Sequence, residues 1–237
     1  MAKKVFIGVG HGGSDPGAVS GDFKESVINL TMALAAKAEL ERHGVEVGIS
    51  RTVEETDKLA EEIAECKAFA PDIAIEVHNN AGGGDGFEVY TQTGAQKANS
   101  KKLAEYIWQR VSATGQNAHG SSPFKTKLNG SGTDWFGWLR QLSCPAVLLE
   151  GFFVDGVKDR QGFDTVEEQR AMGVAYAHGV LDYFGIKVKA AESTTTETNS
   201  KDEMCYVQIF AGSRKGAEIM LERAKEAGFK DAFIKFD

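Results

Sequence analysis

Two histidines in this chain each close a short apolar run and are followed at once by glycine or asparagine: His11 in "KVFIGVGHGGSDPG" and His78 in "DIAIEVHNNAGGG". Two glutamates stand in comparable places. Glu25 opens an amphipathic stretch after the first glycine-rich segment, and Glu150 ends the apolar run of "CPAVLLEGFFVD". A His-Glu-His set with one position left open is the ligand set of a catalytic rather than a structural zinc site. A charged Glu among Leu148, Leu149 and Phe152 is costly unless it is paired or does chemistry. Beside two histidines Glu150 fits a general base and acid acting on a zinc-activated water. Each residue alone has a plainer reading: a packed strand-end histidine, a helix-start acid favoured by the dipole, a buried ion pair. Only their convergence on one edge makes a site.

The first glycine cluster invites another chemistry, because Gly8, Gly10 and Gly13 satisfy the G-x-G-x-x-G spacing of a dinucleotide loop. That loop needs its third glycine to open a helix immediately and an acid roughly 20 residues later. Here "SDPG" delays the helix to about Glu25, and the next strand ends in "SRT", with Arg51 where the acid belongs. The glycines are better read as a sharp turn that presents His11.

Convergence depends on the elements that carry these residues. Short apolar runs alternate with amphipathic stretches, the rhythm of an α/β domain with a mostly parallel central sheet flanked by helices. Strands are expected at Lys4–Val9, Val45–Ser50, Asp72–His78, Phe87–Thr91 and Ala146–Phe152. Val27, Leu30, Leu34 and Ala38 recur at helical spacing in "ESVINLTMALAAKAELERHG", and Leu59, Ile63 and Cys66 in "VEETDKLAEEIAECKAFA". Further helices are expected in "SKKLAEYIWQRV", "DWFGWLRQL" and "VEEQRAMGVAYAHGVLDYFG". Parallel strands align their C-terminal ends on one edge, where α/β folds place ligand sites.

The 237 residues suffice for one good-sized domain with a small appendage. A net charge of -7 without a Lys/Arg stripe argues against nucleic acid. Three well-separated cysteines, Cys66, Cys144 and Cys205, fit neither a disulfide framework nor a cysteine metal site. The first apolar run is too short for a signal peptide, and no stretch reaches membrane-spanning length, so synthesis in the cytoplasm without membrane insertion is expected. From about Lys187 "KAAESTTTETNSKDE" reads as a solvated linker, followed by a β-α-β unit in "CYVQIFAGS", "RKGAEIMLERAKEAG" and "DAFIKFD". The division expected is 1–186, linker 187–203, and 204–237. His43, His119 and His178 read as bystanders; Trp135, Phe136 and Trp138 read as core, with one ring available to line a groove.

The motifs "GHGGSDPGA", "KESVINL", "SRT", "EVHNNA" and "PAVLLEGFFVD" occur in this order, and over about Lys3–Gly185 the chain resembles the zinc-dependent N-acetylmuramoyl-L-alanine amidases of the type 3 family. The resemblance implies an α/β fold, a peptidoglycan substrate, and cleavage of the amide between N-acetylmuramic acid and L-alanine. It implies Zn2+ held by His11, Glu25 and His78, catalysis by Glu150, and a role for Asn80 in ordering the ligand loop. A zinc peptidase acting within the stem peptide and a non-catalytic wall-binding protein are the competing readings. Two departures stand out. Gly8-Val9 replaces the family's usual Asp-Pro, so any bond made by that aspartate is missing or supplied elsewhere. Asp155 replaces a common asparagine. The tail, through "YVQIFAGS", resembles one half of a sporulation-related (SPOR-like) peptidoglycan-binding repeat, which implies wall binding and a homodimer completed by two tails. A cytoplasmic enzyme with an external substrate looks like a bacteriophage endolysin released through a holin; a host autolysin is the alternative.

Overall fold

The computed structural model describes residues 2–190; the proposed SPOR-like unit and all but the first residues of the linker lie outside the described residues. Along the chain run β1 (Lys4–Val9), β2 (Val19–Ser20), β3 (Phe23–Lys24), α1 (Glu25–Arg42), β4 (Glu46–Ile49), α2 (Leu59–Phe69), β5 (Ile73–Asn80) and β6 (Glu88–Thr91). There follow α3 (Lys97–Ser112), β7 (Phe124–Lys125), α4 (Gly137–Gln141), β8 (Ala146–Phe153), α5 (Val157–Gly162) and α6 (Val166–Phe184). Six strands form one mixed sheet in the order β4-β1-β5-β8-β6-β7. The β4-β1-β5-β8 part is parallel, while β6 runs antiparallel to β8 and parallel to β7.

Strand alternation sorts the side chains onto two faces. Val5, Ile7 and Val9 of β1, Ile73, Ile75 and Val77 of β5, and Val147 and Leu149 of β8 join α1, α3 and α6 in the larger core. The residues between them point the other way. Phe6, Ala74, Ala146 and Leu148 pack with Ile63 and Cys66 of α2 and Trp138 and Leu139 of α4 in a smaller core. Because every second residue shares a face, Glu76 and His78 continue the Ala74 row, and Glu150 continues the Leu148 row.

The five expected strands are all present, within a residue or two of their expected ends. The helices differ more: α4 covers only Gly137–Gln141 of the expected "DWFGWLRQL", and α5 has no expected counterpart. The buried face of α1 is Ile28, Met32, Ala33, Ala36 and Leu40, with Val27 left 46% exposed, rather than the Val27–Leu30–Leu34–Ala38 stripe. This helix is apolar on most sides, and contact with both α6 and the sheet rather than sequence periodicity selects the face. The second helix starts at Leu59, with Val53–Lys58 left outside it as a loop.

Candidate metal centre

His11 follows β1 in the left-handed region, with φ 63°. Such a conformation is uncommon for a residue with a Cβ and is kept where the surroundings over-determine it. Those surroundings are visible. Asn29 Nδ2 of α1 donates to Gly10 O at 2.9 Å, and the fully buried Arg51 donates to Val9 O, Gly10 O and Ser26 O at 3.2, 3.3 and 2.7 Å. Gly10 is itself required: a Cβ there would lie 2.2 Å from His78 Cε1.

The rings of His11 and His78 meet edge to face, 4.9 Å between centroids, with the buried Glu25 between them. Glu25 Oε2 is 3.3 Å from His11 Nε2, and Oε1 is 2.9 Å from His78 Nδ1. Glu25 also accepts from Ala18 N at 2.9 Å and Asn79 N at 3.1 Å. Burial alone would raise its carboxyl pKa, but hydrogen bonds from the two imidazoles outweigh it and hold the group well below the usual carboxylate range. The hydrogen bond to Glu25 raises His11 above its ordinary pKa. For His78 burial pushes downward, and bonds to Glu25 and Glu76 overcome it, so its pKa stands well above the ordinary value.

One ligand atom from each of His11, Glu25 and His78 lies within 4.8 Å of the others, and among the described residues no other group of His, Cys, Asp or Glu converges in this way. Two imidazoles and a carboxylate form an N/O donor set suited to zinc, and the far nitrogen of each ring already has a carboxylate. His11 Nδ1 lies 2.8 Å from Asp15 Oδ2, and His78 Nε2 lies 3.1 Å from Glu76 Oε1.

Glu150 is the register partner of His78 across β5 and β8, so the two side chains leave the same face side by side. Its Oε2 is buried without a hydrogen-bond partner, and burial pushes its carboxyl up to about 7. A register shift between His78 and Asn80 marks a bulge beside the site, a common device for re-aiming side chains. All these groups line one cleft of about 600 Å³, whose far wall carries Leu59, Phe136 and Trp138.

Asn80 donates through Nδ2 to Glu88 Oε2 at 3.0 Å and accepts from Ala81 N, which ties the turn after β5. Asp155 accepts from Gly82 N and Gly83 N at 2.9 and 3.0 Å, so this departure anchors the same loop. The residue beside Asn80 was missed. Asn79 donates from Nδ2 to Asn29 Oδ1 and accepts at Oδ1 from Phe152 N, knitting α1, β5 and β8 together behind the centre. Asp15 and Glu76 were also missed, although Glu76 lies two residues before His78, the spacing that puts strand residues on one face. Trp138 is fully buried as expected, whereas Trp135, also expected in the core, is 53% exposed. His43 and His178 pair with Glu39 of α1, away from the cleft.

The mixed sheet between two helical layers, with the cleft at the strand ends, defines an α/β protein with a hydrolase-like site. Residues 5–182 match the model of the Amidase_3 family, N-acetylmuramoyl-L-alanine amidase, and the chain belongs to that family. It is a peptidoglycan amidase. It is 30% identical over 240 residues to a sporulation-specific N-acetylmuramoyl-L-alanine amidase of Bacillus subtilis (strain 168), covering 99% of this chain and 85% of that one. An endolysin of Bacillus phage SPP1 is 28% identical over 203 residues, covering 81% of this chain and 70% of the endolysin. Among solved structures, the catalytic domain of the amidase CwlV from Bacillus (Paenibacillus) polymyxa var. colistinus superposes with a TM-score of 0.67 at 26% identity, covering 78% of this chain and 99% of that domain.

Proposed function

We propose that the chain is a zinc-dependent amidase that holds its ion with His11, Glu25 and His78 and uses Glu150 as the proton-transfer residue. The observation that carries this reading is the convergence of the three ligand atoms within 4.8 Å, with Glu150 in register beside His78. When bound, zinc supplies Lewis-acid chemistry, polarising the amide carbonyl and acidifying the attacking water. Glu150 takes the proton of that water as it adds to the lactyl carbonyl of N-acetylmuramic acid. The same carboxyl then returns the proton to the L-alanine nitrogen, so the C–N bond breaks to a free amine and the proton balance closes. Its environment suits both steps, since a carboxyl near neutrality gives and takes protons readily. Leu59, Phe136 and Trp138 line the same cleft as Glu150.

Product analysis tests the assignment. Mass spectrometry of purified peptidoglycan digested by the chain should find a free lactyl carboxyl on the muramic acid and an intact stem peptide. Chelator should abolish both, and added zinc should restore them. Fragments cut inside the stem peptide would instead make the chain a zinc peptidase.

The biological setting proposed is that of an endolysin, made in the cytoplasm and released to the wall, in line with the phage relative. No helix among the described residues is long and apolar enough to cross a membrane. A second setting has its own support, because the sporulation-specific relative aligns over 99% of the chain, tail included. Transcript timing separates them: induction with late phage genes supports the first, and induction during sporulation the second. Residues 204–237 are proposed to bind the wall and to pair between two chains.

A further inference from the structure

Beneath His78, on the same face of β5, stands a carboxylate that the proposed reaction does not use. Glu76 is only 4% exposed; its Oε1 lies 3.1 Å from His78 Nε2, and its Oε2 is buried without a partner. The opposite ring nitrogen, Nδ1, faces Glu25 Oε1 at 2.9 Å. The ring is therefore spanned by two carboxylates, one on the ligand side and one behind it. A neutral imidazole carries a single N–H, and an ionised carboxylate can only accept. With Glu76 behind Nε2, that nitrogen keeps its proton when the ring gives one up, which leaves Nδ1, on the Glu25 side, as the nitrogen that binds an ion.

The neighbouring strand makes room for this arrangement. A Cβ on Gly8 would lie 2.6 Å from Glu62 Oε1, 3.1 Å from the Trp138 ring and 3.2 Å from Glu76 Cγ, so the missing side chain leaves room for the carboxylates. Glu62 is already committed, accepting from Val9 N at 3.0 Å, which leaves Glu76 to serve His78. The departure from Asp-Pro at Gly8-Val9 thus coincides with a carboxylate arriving from β5.

We propose that Glu76 is a positioning residue of the metal centre, which fixes the tautomer and ring orientation of His78 by holding its Nε2 proton. This rests on the reading of His78 as a ligand. Outer carboxylates of this kind are worth about ten- to hundredfold in metal affinity.

The test compares the full-length chain with Glu76→Ala and Glu76→Gln, each stripped of metal and titrated with zinc against a chromophoric chelator. Glu76→Ala should weaken zinc binding about ten- to hundredfold and lower kcat with little change in KM. Far-UV circular dichroism of its metal-free form should stay native, so that weaker zinc binding is distinguished from a failure to fold. Glu76→Gln, whose amide oxygen still accepts from Nε2, should regain most of the affinity. In the zinc-loaded wild type an imidazole N–H proton of His78 should exchange slowly enough for NMR detection, persist in Glu76→Gln and vanish in Glu76→Ala. A wild type that loads zinc while Glu76→Ala loads it equally tightly overturns the role of Glu76 alone. So does a Glu76→Gln variant that loses the N–H signal yet binds zinc normally, a result that holds even if Glu76→Ala fails to fold. A wild type that takes up no zinc overturns the metal-centre reading and the role of Glu76 with it.

Discussion

Under the proposed mechanism, Glu150 must exchange a proton twice in each turnover, and a residue with a carboxamide cannot. Glu150→Gln should therefore lower the rate of peptidoglycan cleavage by about 10²- to 10⁴-fold, the usual contribution of general acid-base catalysis. Its zinc content, read by atomic absorption, should match the wild type; loss of both would make Glu150 a ligand instead. The three ligand candidates set the pH dependence of loading. Glu25 is held ionised far into acid, but His11 and His78 have raised pKa values and must give up the protons they hold on Glu25 before an ion can enter. Metal binding then releases protons, so zinc affinity should climb as pH rises through the range above 6.5 and fall below it. Competition titrations at several pH values, with proton release followed by a dye, check this. A flat affinity across that range would mean that the two rings do not compete with protons for the ion.

At the level of elements, the parallel strands were legible because their apolar runs are short and end in Gly, Asn or Arg, as at Val9, His78 and Ser50. The convergence of His11, Glu25, His78 and Glu150 was equally legible, since parallel strands share an edge and each residue ends or follows an element. What escaped was set by tertiary contact. The buried face of α1 is chosen by α6 and the sheet, and the Asn79 network exists only once α1, β5 and β8 are in place. Two changes probe this layer. Gly10→Ala would drive a Cβ into the ring of His78 and should abolish zinc uptake while far-UV circular dichroism stays native; normal uptake would show that β1 and β5 can part without cost. Glu62 of α2 tests the packing beneath the cleft. Burial, reinforced by Glu76 and Asp57, pushes its carboxyl up to about 8, above the ordinary 4.5. A raised acid stabilises the fold fully below its unfolded pKa, and that contribution is lost as pH rises through the folded value. Metal-free wild type should accordingly lose melting temperature between about pH 5 and pH 9, and Glu62→Gln should flatten the profile and melt higher at pH 9. Parallel profiles for the two proteins would refute the assignment.

For the whole molecule, the proposed pairing of tails carries a mass prediction. The full-length chain at micromolar concentration should scatter light as a dimer, and a chain ending at Ala190 as a monomer with unimpaired cleavage of soluble wall fragments but weaker sedimentation with intact walls. A full-length monomer whose tail resists protease would sink the pairing. The catalytic part has a property of its own. Its scaffold is tied by hydrogen bonds that run from Arg51 and Asn29 to the backbone of Val9 and Gly10, and from Asn79 to α1 and β8, none of which passes through an ion. Under the proposed zinc dependence, a chain tied in this way would fold ahead of its metal, and a cell could hold it as a finished but silent stock until zinc arrives; native far-UV circular dichroism of the metal-stripped chain, with cleavage only on adding zinc, checks this.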